Sequence, residues 1–177
     1  MGNRKGVTLI ELLIAIALLA VISAIGLLIL NPATFMAKRR DAVRISDINV
    51  MQAAINAYII EENHPPCPEQ VYSSIYCDGY YESPGSYTCT TQEMKNPDGV
   101  GWIENGTSEG SCLMSRYISE LRIDPVNNDT YMYRYKANAG KFELDIKFEA
   151  DSNKGKMKTD GGNDDNWYEV GTDKSLI

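Results

Sequence analysis

Val7-Thr8-Leu9-Ile10-Glu11-Leu12-Leu13-Ile14 opens a run that continues to Leu30 with no charge after Glu11. Residues 12 to 30 hold one hydroxyl, Ser23, and one glycine, Gly26; the rest are Leu, Ile, Ala and Val. About 20 apolar residues are what a helix needs to cross the hydrocarbon core of a bilayer. A backbone in that core must satisfy its own hydrogen bonds, so a single segment crosses as a helix. Two features make the run more than an anchor. Arg4-Lys5-Gly6 stands directly before it, and a lone carboxylate, Glu11, sits within its first turns. A charge within a membrane helix costs roughly 2.5 to 3.5 kcal/mol on insertion scales, so it calls for a partner.

Arg4-Lys5-Gly6-Val7-Thr8-Leu9-Ile10-Glu11-Leu12-Leu13-Ile14 closely resembles the class III signal of type IV pilins and type II secretion pseudopilins. The resemblance implies that a prepilin peptidase cuts between Gly6 and Val7 and that Val7 is then N-methylated. It also implies that subunits assemble through this helix. Glu11, the fifth residue after the cut, would pair with the α-amine of a neighbouring subunit's Val7, neutralising both charges and fixing the axial stagger. Phe is the common first residue in the family, and Val7 departs from it.

Two other targeting readings weigh less. Ala15-Ile16-Ala17 fits the small-residue pattern of a secretory cleavage site, but thirteen uncharged residues follow it. A plain signal anchor meets a conflict of charge. Arg4 and Lys5 precede the span, while Lys38, Arg39, Arg40 and Arg44 follow it, which by counting puts residues 38–44 in the cytoplasm. Four cysteines and an acidic domain downstream favour export, and the resemblance implies an exported C-terminus.

Charge is unevenly divided along the 177 residues. Residues 1–60 carry six Lys/Arg and three Asp/Glu; residues 61–177 carry eleven and twenty-one. An acidic outer domain is poorly suited to nucleic acid, whose binding rests on neutralising phosphates. It suits a solvated surface.

The remainder divides into a helix and a head. Asn31-Pro32 and Gly26 predict that the helix loosens somewhere between positions 26 and 32. Val43, Ile48, Met51, Ile55, Tyr58 and Ile59 recur at helical spacing, so residues 31–60 form an amphipathic helix packed on a sheet. The basic cluster 38–44 faces the membrane surface, acidic groups of neighbouring heads, or solvent. His64, the one histidine, lies in a Pro-rich turn with no metal-ligand spacing around it. No nucleophile–base pattern suggests an enzyme.

Residues 63–115 are loop-rich and contain all four cysteines, Cys67, Cys77, Cys89 and Cys112. Their spacings are too wide for C-x-x-C pairs. An even count in an exported segment reads as two disulfides. Three pairings are open, with Cys67–Cys77 and Cys89–Cys112 preferred. Tyr117–Leu121 reads as one helical turn. Asp124-Pro125 and Tyr131-Met132-Tyr133-Arg134-Tyr135 look like the stretch that precedes the first main strand in major pseudopilins, although Val126-Asn127 replaces the usual Trp-Gly. Asn138-Ala139-Gly140 supplies a hairpin turn. Lys141 to Glu149 then alternates, with Phe142, Leu144, Ile146 and Phe148 on one face and the charges on the other. Lys154-Gly155-Lys156 reads as a further turn.

Asp160-Gly161-Gly162-Asn163-Asp164-Asp165-Asn166-Trp167 gathers the oxygen ligands that Ca²⁺ prefers. It resembles the calcium-binding loop before Trp in major pseudopilins. Asp160, Asn163, Asp164 and Asp165 are the expected ligands, with Asp173 a weaker one.

The sequence thus predicts an α+β protein, with a long N-terminal helix packed on a small antiparallel β-sheet and a disulfide-stapled loop region. Residues 1–6 are a leader, 7–60 the helix (7–30 transmembrane or filament core) and 61–177 an extracellular head. The expected function is a structural pilin that polymerises into a homopolymeric filament. Its partners are other copies of itself, the inner membrane, prepilin peptidase and an assembly machinery. The rivals are a major pseudopilin of a type II secretion system and a monomeric membrane-anchored binding module.

Overall fold

The computed structural model describes residues 6–67, 71–76, 90–98, 101–103 and 113–177, with the side chains of 27–30 excepted. Two compact units divide the chain, one ending at Ala37 and the other beginning at Lys38.

The first unit is dominated by helix α1, Leu9–Leu30. It ends where Asn31 adopts a left-handed conformation, φ 34°, as Asn does more readily than other side chains. Helix α2, Pro32–Glu62, starts at once. Pro32 occupies its first position, where a missing N–H and a fixed φ are harmless. The Asn31 Oδ1 accepts from Thr34 N at 3.4 Å, so one residue closes α1 and opens α2. The break expected between positions 26 and 32 therefore falls at Asn31. The described apolar side chains of α1, from Leu9 to Ile25, are exposed.

In the second unit α2 lies against a four-stranded sheet of β1 (Val71–Ser73), β2 (Arg134–Asn138), β3 (Lys141–Ile146) and β4 (Tyr168–Gly171). Two short helices, α3 (Thr91–Met94) and α4 (Asp151–Met157), complete the elements. The strand order is β1-β2-β3-β4 and every pairing is antiparallel. The β2–β3 turn has two residues, Ala139 and Gly140, with φ of 49° and 81°. Positive φ at both suits the right-handed twist of the flanking strands.

The helical stripe and the strand alternation meet as expected, except that Val43 is exposed and Ile59 only partly buried. Ile48, Met51, Ala54, Ile55 and Tyr58 share one buried cluster with Tyr135, Phe142, Leu144, Ile146 and Phe148. Trp102, Met114, Ile118 and Leu121 join it from the loop region. Burying apolar area of this kind contributes roughly 25 cal/mol per Å². Trp102 Nε1 donates to the Arg122 carbonyl at 2.8 Å and Tyr135 Oη to the Pro66 carbonyl at 2.6 Å, so their polar ends are satisfied inside.

Three local readings are corrected. Residues 151–157 form α4 rather than a turn at Gly155: Asp151 lies in its first turn and Lys154 and Lys156 in its last, which complements the helix dipole. Residues 115–117 form a turn, with Ile118 N bonded to the Met114 carbonyl, and no helix follows. Strand β1 precedes Asp124-Pro125, so that stretch leads into the second strand. The other face of β3 is also covered: Glu143 and Asp145 are both fully buried.

The basic cluster is split between the protein interior and solvent. Arg44 is fully buried between Asp41 and Asp124, and Arg40 pairs with Glu149. Lys38 and Arg39 remain exposed. Two of these four cations, Arg40 and Arg44, are thus fold-forming groups of the second unit.

Candidate functional site

The N-terminal segment is built from its first hydrogen bonds. Gly6 and Val7 precede α1 in non-helical backbone, both exposed, and among the described residues nothing lies within 4 Å of where a Cβ on Gly6 would sit. Thr8 caps the helix from extended backbone, φ −78° and ψ 153°. Its Oγ1 accepts from Glu11 N at 3.4 Å, and Glu11 Oε2 accepts from both Thr8 N and Thr8 Oγ1 at 2.8 Å. Two of the N–H groups that every helix start leaves unpaired are satisfied this way. Glu11 therefore has a role that the sequence reading missed. Thr8-Leu9-Ile10-Glu11 spells the capping box, and that signal was available.

Apart from Glu11 and Ser23, residues Leu9–Gly26 are apolar, and the segment is long enough to cross a membrane. The whole of α1, 22 residues, rises about 33 Å at about 1.5 Å per residue, close to the hydrocarbon thickness.

In the head, Asp160, Asn163, Asp164 and Asp173 are hydrogen-bonded within their loop or to β4, Lys141 and the C-terminal residues. Asp160 Oδ1 accepts from Gly162 N at 3.0 Å and its Oδ2 from Glu169 N at 2.8 Å. The Asp160 carbonyl accepts from Lys174 Nζ. Asp164 Oδ1 accepts from Asn166 N and Nδ2, and the backbone bond from Asn166 chiefly holds this carboxyl below its ordinary range. Asn163 Nδ2 donates to the Ile177 carbonyl at 3.3 Å, and Asp165 is exposed. Asp173 accepts from Lys141 Nζ at 2.9 Å.

Cys67 is buried and disulfide-bonded. Cys77, Cys89 and Cys112 lie outside the described residues.

Residues 1–27 match the family model of the prokaryotic N-terminal methylation motif. No curated protein and no solved structure matches the chain. The matched segment is the class III signal quoted above and is consistent with the type IV pilin family. With α1 it fits a membrane-anchored precursor, and it implies processing by a prepilin peptidase and engagement with pilus-type machinery.

Proposed function

We propose that this chain is a structural filament subunit, stored in the inner membrane as a single-pass precursor and polymerised into a type IV pilus-like filament. Hydrolysis of the Gly6–Val7 peptide bond frees an α-amine on Val7, which is methylated. The apolar helix then passes from lipid to the filament core, where the same apolar surface is buried against other copies. Glu11 pairs there with a neighbour's Val7 amine. The observation that carries this reading is the coincidence of three features at one place: a methylation motif, an exposed Gly6–Val7 pair and a capped apolar helix beginning two residues later. The disulfide at Cys67 supports an oxidising compartment for the head. The pairing Cys67–Cys77 with Cys89–Cys112 belongs to the same proposal.

A secretion pseudopilus is the second reading, favoured by Asp124-Pro125 and the aromatic alternation Tyr131, Tyr133, Tyr135. Surface filaments on intact cells separate the two.

The test is the mass of the N-terminal peptide from native membranes. The expected peptide starts at Val7 and carries one methyl group. A peptide retaining Met1 to Gly6 in cells with active prepilin peptidase refutes the proposal and leaves a monomeric anchored module. Glu11→Ala is expected to abolish filaments while membrane insertion persists; normal filament yield from that variant excludes the Glu11–amine pairing.

A further inference from the structure

The charged face of β3 is where chemistry is left over. Glu143 and Asp145 are both fully buried, and Glu169 on β4, opposite Asp145, is 1% exposed. One carboxylate oxygen from each lies within 4.8 Å of the others. Among the described residues one cation offsets them: Arg134 Nη2 reaches Asp145 Oδ2 at 2.6 Å, and its guanidinium stacks over Trp167 at 3.8 Å. Among the described residues, three buried carboxyl groups face one guanidinium, so ionising all three leaves two uncompensated negative charges where desolvation is most costly.

Their hydrogen bonds do not close this account. Glu143 Oε2 accepts from Leu176 N at 2.6 Å and Ile177 N at 2.9 Å. Glu169 accepts from Asn163 N and Asp164 N, both at 3.3 Å. Glu143 Oε1 and Asp145 Oδ1 are buried and have no hydrogen-bond donor. A native fold rarely leaves two such oxygens orphaned without an ion, water or ligand to satisfy them. Burial pushes Asp145 well above the ordinary carboxylate range, with Arg134 opposing and Glu143 adding. Burial and then contact with Glu143 push Glu169 up to about 7.

We propose that Glu143, Asp145 and Glu169 form a divalent-cation site, selective for calcium, that ties β3 and β4 to the C-terminal residues and the 160–164 loop. The spacing fits: oxygens about 2.3 to 2.6 Å from one Ca²⁺ can stand up to about 5 Å apart. The charge fits, because a divalent ion cancels what Arg134 leaves. The donor set fits a hard cation, being oxygen alone, and oxygens up to 4.8 Å apart suit the longer Ca²⁺–O distances better than the roughly 2.0 to 2.1 Å that Mg²⁺ demands.

These are not the ligands expected from the loop sequence. Asp160 Oδ2 accepts from Glu169 N, and Asn163 N and Asp164 N donate to the two Glu169 carboxylate oxygens, which fixes that side chain. The loop is pressed against Glu169 so closely that a Cβ on Gly162 would fall 1.6 Å from Glu169 Oε2. The site stands independently of the filament reading, since it lies wholly within the second unit.

The experiment uses the full chain in detergent, stripped with chelator and then titrated with Ca²⁺ or Mg²⁺ alone. Ca²⁺ at a hundredfold excess over its Kd is expected to raise Tm by about 5 to 10 °C, and Mg²⁺ by much less. Tb³⁺ is expected to luminesce on tryptophan excitation, through Trp167, and to be displaced by Ca²⁺. Glu143→Gln and Asp145→Asn are expected to weaken Ca²⁺ at least tenfold while the stripped proteins melt no lower than the wild type, since a neutral amide relieves the same repulsion. Asp165→Asn, at an exposed loop position, is expected to leave binding unchanged. A wild-type Tm indifferent to Ca²⁺ up to about 10 mM, above the range of weak extracellular sites, overturns the proposal; a proton shared between Glu143 and Glu169 then relieves the charge. Loss of binding in Asp165→Asn with Glu143→Gln intact also overturns it, by placing the ion in the loop.

Discussion

Glu11 has two claims on one carboxylate. Within the subunit it closes a capping box with Thr8; in the proposed filament it meets an amine from another copy. The two are compatible in electrostatic terms, because the first turn of a helix favours negative charge and α1 keeps its remaining N–H groups there. The cap also fixes where the carboxylate stands before any neighbour arrives, so less side-chain freedom is lost on pairing. Replacing Ser or Thr at such a cap costs about 1 kcal/mol. Thr8→Val, which keeps the side-chain size and removes the hydroxyl, should therefore speed amide exchange of Leu9 to Glu11 about fivefold in the detergent-solubilised chain. Thr8→Ser should exchange like the wild type. Equal exchange in Thr8→Val would mean that the cap carries no weight.

Among elements, α2 carries most of the organisation. Its apolar stripe seats the sheet, and its first charged turns reach across the head. Arg44 Nε and Nη2 bond Asp124 at 2.6 and 2.9 Å, Nη1 bonds Asp41 at 2.8 Å, and the guanidinium lies over Tyr131 at 4.9 Å. Asp41 also accepts from Glu149 N, Ala150 N and Asn153 Nδ2, each at 2.9 Å, which anchors the start of α4. Arg44→Met should cost about 3 to 5 kcal/mol by leaving two buried carboxylates unpaired, measured by urea unfolding. Arg44→Lys should restore little of it, because an ammonium cannot match the guanidinium fork. The network also sets a pH limit. Burial pushes Asp41 up, but the bonds from Asn153, Glu149, Ala150 and Arg44 outweigh it and hold the carboxyl below its ordinary 3.8. Glu149 is held below 4.5, first by Arg40. Depressed carboxyls contribute stability above their unfolded values and lose it as pH falls through the folded ones. Tm should be insensitive to these groups from neutral down to about pH 5 and drop below about pH 4. In Asp41→Asn that acid drop should shrink. The stripe on α2 and the alternation of β3 were legible in the sequence because each is a local period set by backbone geometry. The Arg44–Asp124 pair was not, since its partners are eighty positions apart and a basic cluster on a helix looks the same whether solvated or buried. The three-residue β1 carries too little pattern to read and is defined by its pairing with β2. The site on Glu143, Asp145 and Glu169 was hidden for the same reason: alternation assigned the charges to one face without saying that the 160–164 loop and the C-terminal residues cover it.

For the whole molecule, the division of charge and apolarity is the division of labour. The N-terminal unit holds the exposed apolar helix and the methylation motif; the head holds the packed core and nearly all the acidic groups. The β2–β3 turn described above has a consequence for the order in which the head forms. Ala139 and Gly140 bring two strands together at almost no cost in loop closure, whereas β1 must pair with β2 from about 65 positions away, Val71 opposite Lys136. Local hairpins close within microseconds; distant pairings wait. The hairpin is thus expected to lead, with β1 arriving late. Ala139 slows that lead step, since an alanine at φ 49° carries roughly 1 to 2 kcal/mol of left-handed strain. Ala139→Asn, which gives the Asn-Gly pair such turns prefer, should accelerate refolding severalfold and leave the unfolding rate nearly unchanged. A chevron with the change on the unfolding arm instead would place the hairpin late, and with it the nucleus somewhere other than β2 and β3.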